Sequence, residues 1–125
     1  MILSTLSKTW VVDIDGVIFI HNGYKELKAN EHEKPLNGVK EFFEKIPKED
    51  FIVLLTSRKE QYRNITEKSL KENEIRYDVL LMGIPMGERI LINDKKPSGL
   101  KTAYAVNLKR NEGLKSLNIR IESEK

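Results

Sequence analysis

The strongest constraint in this sequence is an alternation of short β-branched or leucine-rich runs with longer segments of helical period. "TWVVDID", "FIVLLTS", "YDVLLM", "ERILIND" and "TAYAVNL" read as five strands. "NGVKEFFEKI" sets Val39, Phe42, Phe43 and Ile46 three or four residues apart, an apolar helical stripe that Pro47 ends. A second, mostly polar helix is expected from Lys59 to about Asn73, carried by Tyr62, Ile65, Ser69 and Leu70. "KKPSG" between the last two strands reads as a turn, because Pro97 and Gly99 punctuate it. Parallel strands need crossovers, and helices between strands supply them, so the expected fold is α/β with three layers around a mostly parallel five-stranded sheet.

A chain of 125 residues buries one core but hardly two, which predicts a single domain over 1–125. Its polar end, about 115–125, is expected to be flexible. Charged residues make up 33% and hydrophobic residues 39%, a globular composition with a heavily solvated surface. The chain has no cysteine, which excludes disulfides, thiolate metal sites and cysteine nucleophiles and fits a reducing compartment. "MILSTLSKTW" lacks the pattern of a secretory leader, and no apolar run approaches membrane-spanning length. A cytoplasmic protein with no membrane partner is the expectation. The net charge of +3 is too small and dispersed to indicate nucleic-acid binding, and it suits a small anionic substrate.

In an open α/β sheet ligands bind beyond the carboxyl ends of the strands, so the polar residues there carry the functional reading. The first strand ends in Asp13 and Asp15, the second in Thr56 and Ser57, the fourth in Asn93 and Asp94. Residues two apart in a strand point to one side, and two carboxylates so placed repel unless a cation or a proton compensates. Mg²⁺ prefers oxygen ligands of this kind, with substrate phosphate completing the shell. The Thr56 hydroxyl and the backbone N–H groups after it suit a phosphate oxygen. Each group also has a plainer role: Asp13 and Asp15 as turn formers, Thr56 and Ser57 as helix caps, Asn93 and Asp94 as shapers of the turn before Pro97. The polar stretch at about 17–35 follows the aspartates and reads as a flap or hairpin beside the site.

"VVDIDGVIF" resembles the first motif of the haloacid dehalogenase superfamily of phosphohydrolases: aspartate, any residue, aspartate, glycine, then threonine or valine. "IVLLTSR" is similar to the second motif and "ILIND" to the fourth, and the three stand in family order over 10 to about 107. The resemblance implies a Rossmann-like fold and a Mg²⁺-dependent phosphatase. Asp13 would attack phosphorus and form an aspartyl phosphate. Asp15 would protonate the leaving oxygen and then activate water, its backbone carbonyl touching the metal. Gly16 would turn the chain beside the substrate, and Thr56 would hydrogen-bond a phosphoryl oxygen; apart from the resemblance, Ser57 next to it and Arg58, whose guanidinium fits an anion, are substrate-binding candidates. Asp13, Asp15, Asn93 and Asp94 would hold the Mg²⁺.

Two positions depart from the family pattern. Ile84 stands in "GIP" where small relatives carry a lysine, so Lys96, in "NDKKP", is the expected replacement, with Lys95 its neighbour. Asn93 stands where the fourth motif has an acid. About 40 residues separate the first and second motifs, which leaves no room for a separate cap domain. The resemblance is thus to capless members, whose sites are often closed by a neighbouring subunit or a bulky substrate, and a homo-oligomer is compatible with that. The expected substrate is a small phosphorylated metabolite such as a sugar phosphate. Two alternatives stand beside it: a nucleic-acid end phosphatase, and a non-catalytic module that binds metal and phosphate or a partner.

Overall fold

A computed structural model describes residues 1–23 and 32–122. Strands β1 (Ile2–Leu3) and β2 (Thr9–Asp13) are followed by helix α1 (Val39–Lys45) and strand β3 (Phe51–Leu55). A 3₁₀ turn (Glu60–Tyr62), helix α2 (Arg63–Glu72), strand β4 (Val79–Leu81) and strand β5 (Arg120–Ile121) complete the described elements. The main sheet is parallel in the order β2-β3-β4, and β1 pairs with β5 in a separate two-stranded parallel sheet. Each main strand is joined to the next through a helix, as parallel pairing requires. The register runs from Thr9 beside Phe51 to Asp13 beside Leu55, so the carboxyl ends of β2 and β3 are level.

Period-two burial fixes which face of β3 is inside: Ile52 and Leu54 are fully buried while Phe51 is exposed. They pack with Ile14, Ile18, Phe19, Val39, Phe43, Leu70 and Leu80. The stripe read from "NGVKEFFEKI" forms α1, which buries Val39 and Phe43, with Phe42 edge-on to Trp10 at 5.5 Å between ring centroids. The buried Asp50 accepts from Lys8 N and Trp10 Nε1, tying the approach to β2 to the start of β3. On α2 the buried positions are Thr66, Ser69 and Leu70.

The segment near Gly113 locks onto the loop before α1, where Leu114 N donates to Asn37 O at 2.8 Å. Gly113 has φ 78°, and a Cβ there would lie 2.0 Å from Asn37 O. A side chain is therefore excluded both by conformation and by space. Gly113→Ala is expected to destabilise the protein by roughly 2–4 kcal/mol, a loss that thermal unfolding of the two proteins would measure.

The expected fourth and fifth strands do not join the sheet. Residues 88–94 and 102–108 carry no strand pairing, and Ile90, Leu91 and Ile92 are 83%, 63% and 90% exposed. The cause is the path taken after β4. Gly83 N donates to Arg58 O and Ile84 N to Thr56 O, which hold the chain across the carboxyl end of β3. Arg89 then reaches Asp13 at that same end. A parallel strand beside β2 would have to start from the opposite end of the sheet, so the apolar run that follows Arg89 finds no ladder to enter. It leads instead into a hairpin closed by Lys96 N to Leu100 O, with the expected turn at Pro97 and Ser98.

Residues 24–31 of the expected flap, and 123–125, lie outside the described residues. The beginning of that stretch is core, since Ile18 and Phe19 are fully buried. Arg120 and Ile121, in the part expected to be flexible, form β5. Among the described residues no helix is long and apolar enough to cross a membrane.

Candidate active site

At the end of β2 the chain closes a tight turn: Ile18 N and Phe19 N both donate to Ile14 O, and Gly16 N donates to Phe19 O at 2.7 Å. Gly16 makes this possible with φ 88°, a left-handed conformation that side chains rarely adopt. Gly16 is itself buried, and its carbonyl accepts from Asn111 N. The turn sends Ile14, Ile18 and Phe19 into the core and delivers Asp15 to the end of β3.

There Asp15 is held on several sides. The Thr56 hydroxyl donates to Oδ2 at 2.9 Å. Arg58 Nε donates to both carboxylate oxygens at 3.1 and 3.2 Å, and Nη2 to Oδ1 at 2.9 Å. Thr56 Oγ1 also accepts from Arg58 N at 3.0 Å, so one hydroxyl braces the carboxylate and the loop that carries the guanidinium. Arg58 is only 1% exposed and its other edge faces Glu33 and Thr66, not the surface. Burial alone would lower its pKa, but the hydrogen bonds and charges of Glu33 and Asp15 outweigh that and raise it, so the guanidinium is a permanent buried cation.

Asp13 has the more open position, with its side chain 33% exposed against 10% for Asp15. Its single ion-pair partner among the described residues is Arg89, Nη1 lying 3.2 Å from Oδ1. The Asp13 pKa is raised above the usual aspartate range, chiefly by burial, with Arg89 opposing the shift and the Asp15 charge adding to it. The cation beside the first aspartate is thus Arg89, where Lys96 was the expectation. Its only sequence signal was the requirement for a cation once Ile84 was seen to lack one.

The remaining candidates are dispersed. Ser57 is half-buried next to Thr56. Asn93 donates from Nδ2 to Thr102 O at 3.2 Å, the Asp94 carbonyl accepts from the Thr102 hydroxyl, and Lys95 and Lys96 are exposed in the same hairpin. Their strand is not in the sheet, so they are not carried to the end of β2 with the aspartates. Glu33 was not anticipated at all, because an acid in a polar stretch has no distinguishing pattern.

A divalent ion would need a set of oxygen donors. Both Asp15 carboxylate oxygens are engaged by Thr56 and Arg58, Asp13 is paired with Arg89, and Asn93 and Asp94 lie in the hairpin. Among the described residues no group of three or more His, Cys, Asp or Glu side chains is placed to hold a metal. In this arrangement the residues do not fit a Mg²⁺ site, and the positive charge beside the carboxylates is supplied by two arginines.

No protein-family model and no curated protein matches the chain. Solved structures do. One is described as "Structure of Pnkp1/Rnl/Hen1 complex", 28% identical with a TM-score of 0.52, the match covering 69% of this chain and 31% of that one. Another, "Structure of the Pnkp1/Rnl/Hen1 RNA repair complex", is 27% identical with a TM-score of 0.52, covering 62% of this chain and 26% of that one. The chain therefore spans less than a third of the length of these neighbours. This chain is an α/β arrangement of small parallel sheets and helices, consistent with a Rossmann-like fold, and it is similar to part of a chain in an RNA repair complex.

Proposed function

We propose that the protein is a phosphomonoesterase in which Asp13 is the nucleophile. The observation that carries this reading is the contrast between two neighbouring carboxylates: Asp13 half-exposed beside one guanidinium, Asp15 tucked in and held by Thr56 and Arg58. Asp13 attacks phosphorus and the bond to the ester oxygen breaks; Asp15, a carboxylate at rest, takes the proton that the phosphate monoanion brings and passes it to that oxygen. Water then attacks the aspartyl phosphate, Asp15 takes the proton from the water and returns it to the departing inorganic phosphate, and Asp13 and ionised Asp15 are restored. Arg89 neutralises charge on the phosphoryl oxygens, a role for which a planar, permanently charged fork is well suited.

Small phosphate esters such as sugar phosphates are the first substrate class. A second reading, removal of a phosphate from a nucleic-acid end, is favoured by the likeness to chains of an RNA repair complex. Both are tested by assaying phosphate release from 4-nitrophenyl phosphate, a panel of sugar phosphates, and 3′- and 5′-phosphorylated oligoribonucleotides, with Mg²⁺ and with EDTA. The expected result is turnover of at least one class. Preference for the oligonucleotides, lost steeply with added salt, would select the second reading. Absence of hydrolysis on every ester would overturn the phosphatase assignment and leave a binding module. Activity in EDTA equal to that in Mg²⁺ would mean that the arginines alone supply the positive charge.

A further inference from the structure

Arg58 uses every donor it has. A guanidinium carries five N–H groups, and here Nε and one Nη2 proton serve Asp15, the other Nη2 proton and one on Nη1 serve Glu33, and the last on Nη1 serves Thr66. The distances to Glu33 are 2.5 Å from Nη2 to Oε1 and 3.1 Å from Nη1 to Oε2. Two carboxylates thus clasp two edges of one plane, and the Phe19 ring lies 5.9 Å from the guanidinium carbon.

We infer that Glu33 is a positioning residue for Asp15, acting through the buried Arg58, and so ties the returning end of the segment after β2 to the proton donor. This rests on the reading of Asp15 as that donor. Glu33 is itself only 9% exposed. Its backbone is anchored as well, with Asn73 Nδ2 donating to Glu33 O at 3.0 Å. Two residues on, Pro35 bridges to Phe19, and Leu36 N donates to Ile18 O at 2.7 Å. Glu33 is therefore fixed from Asn73, the residue that ends α2, and from the turn after β2, and the orientation it enforces on Arg58 passes directly to Asp15.

Burial explains why the orientation depends on the second carboxylate. A charge taken from water must have its donors satisfied. With Glu33 neutralised, the outer edge of the guanidinium loses its charged partner. The plane can then tilt to share Asp15 differently or to admit water, because Asp15 and the neutral Thr66 hydroxyl hold it without the second carboxylate. A small tilt misdirects the proton donor without removing it, and general acid catalysis is sensitive to such displacements.

The consequence is a dependence on the leaving group. An aryl ester such as 4-nitrophenyl phosphate expels its oxygen with little help, whereas an alkyl ester such as glycerol phosphate needs the proton. We expect Glu33→Gln to lower kcat/KM for glycerol phosphate at least about tenfold more than for 4-nitrophenyl phosphate, with Asp15→Asn showing the same bias more strongly. Thermal unfolding reports whether each variant is folded. Arg58→Lys keeps the charge but cannot fork to two carboxylates at once, so it should carry the same bias and decides the matter if Glu33→Gln does not fold. Equal losses on both esters in the folded variant, while Asp15→Asn discriminates, would overturn this inference alone. A wild-type protein inactive on both esters, or an Asp15→Asn variant that does not discriminate between them, would instead overturn the reading it rests on.

Discussion

Asp13→Asn is expected to lower hydrolysis of every phosphate ester by about a thousandfold or more, because the covalent route then has no nucleophile. The same change should not lower the melting temperature at neutral pH. Burial raises the Asp13 pKa, so the folded state binds the proton more tightly than the unfolded chain does. Such a group contributes stability that is fully present below its unfolded value and lost as pH rises through the raised folded value. Ionised Asp13 therefore opposes folding at neutral pH, and a neutral amide removes that opposition, set against the loss of the exposed Arg89 pair. Activity should show the matching signature, with the acid limb of the pH–rate profile falling above the ordinary aspartate value of 3.8. Steady-state hydrolysis together with circular-dichroism melting checks all three. Activity in Asp13→Asn within tenfold of wild type would remove Asp13 from the mechanism.

Arg58→Met should have the largest effect on stability. The substitution leaves Asp15 and Glu33 facing a side chain without charge, in a place where both are nearly excluded from water. Breaking a buried pair by removing one partner costs about 3–5 kcal/mol, which for a chain of this size corresponds to a fall in melting temperature of roughly 10–20 °C. Lysine at the same position should recover part of that loss, since it restores the charge without the two forks. Chemical denaturation read by Trp10 fluorescence measures the free energy directly. A loss below about 1 kcal/mol would mean that solvent reaches the cluster and that the pair behaves as a surface one.

The parts of the molecule that were legible in the sequence are those decided locally. "FIVLL" is apolar on both faces and strand-forming, and it becomes the central strand with Ile52 and Leu54 inside. "NGVKEFFEKI" has one apolar side at helical spacing and becomes α1. The second helix begins later than its pattern suggested, because Glu60–Tyr62 takes a tighter 3₁₀ turn first. "ERILIND" is as strand-like as any of these, yet it stays unpaired. A strand needs a neighbouring edge in the right direction, and the contacts of Gly83, Ile84 and Arg89 at the carboxyl end of the sheet take that direction away.

The two aspartates, the glycine after them and the threonine after the second strand were visible because their residue types and their places at strand ends follow from the sequence alone. Parallel register then brings the Thr56 hydroxyl to 2.9 Å from Asp15. Which charges answer those carboxylates was decided only in three dimensions. Arg58 turned inward to Asp15 and Glu33, Arg89 reached Asp13, and Lys96 stayed in the hairpin. Periodicity reports the face on which a side chain lies, whereas the partner of a buried charge depends on which distant segment arrives beside it, and no spacing along the chain encodes that arrival.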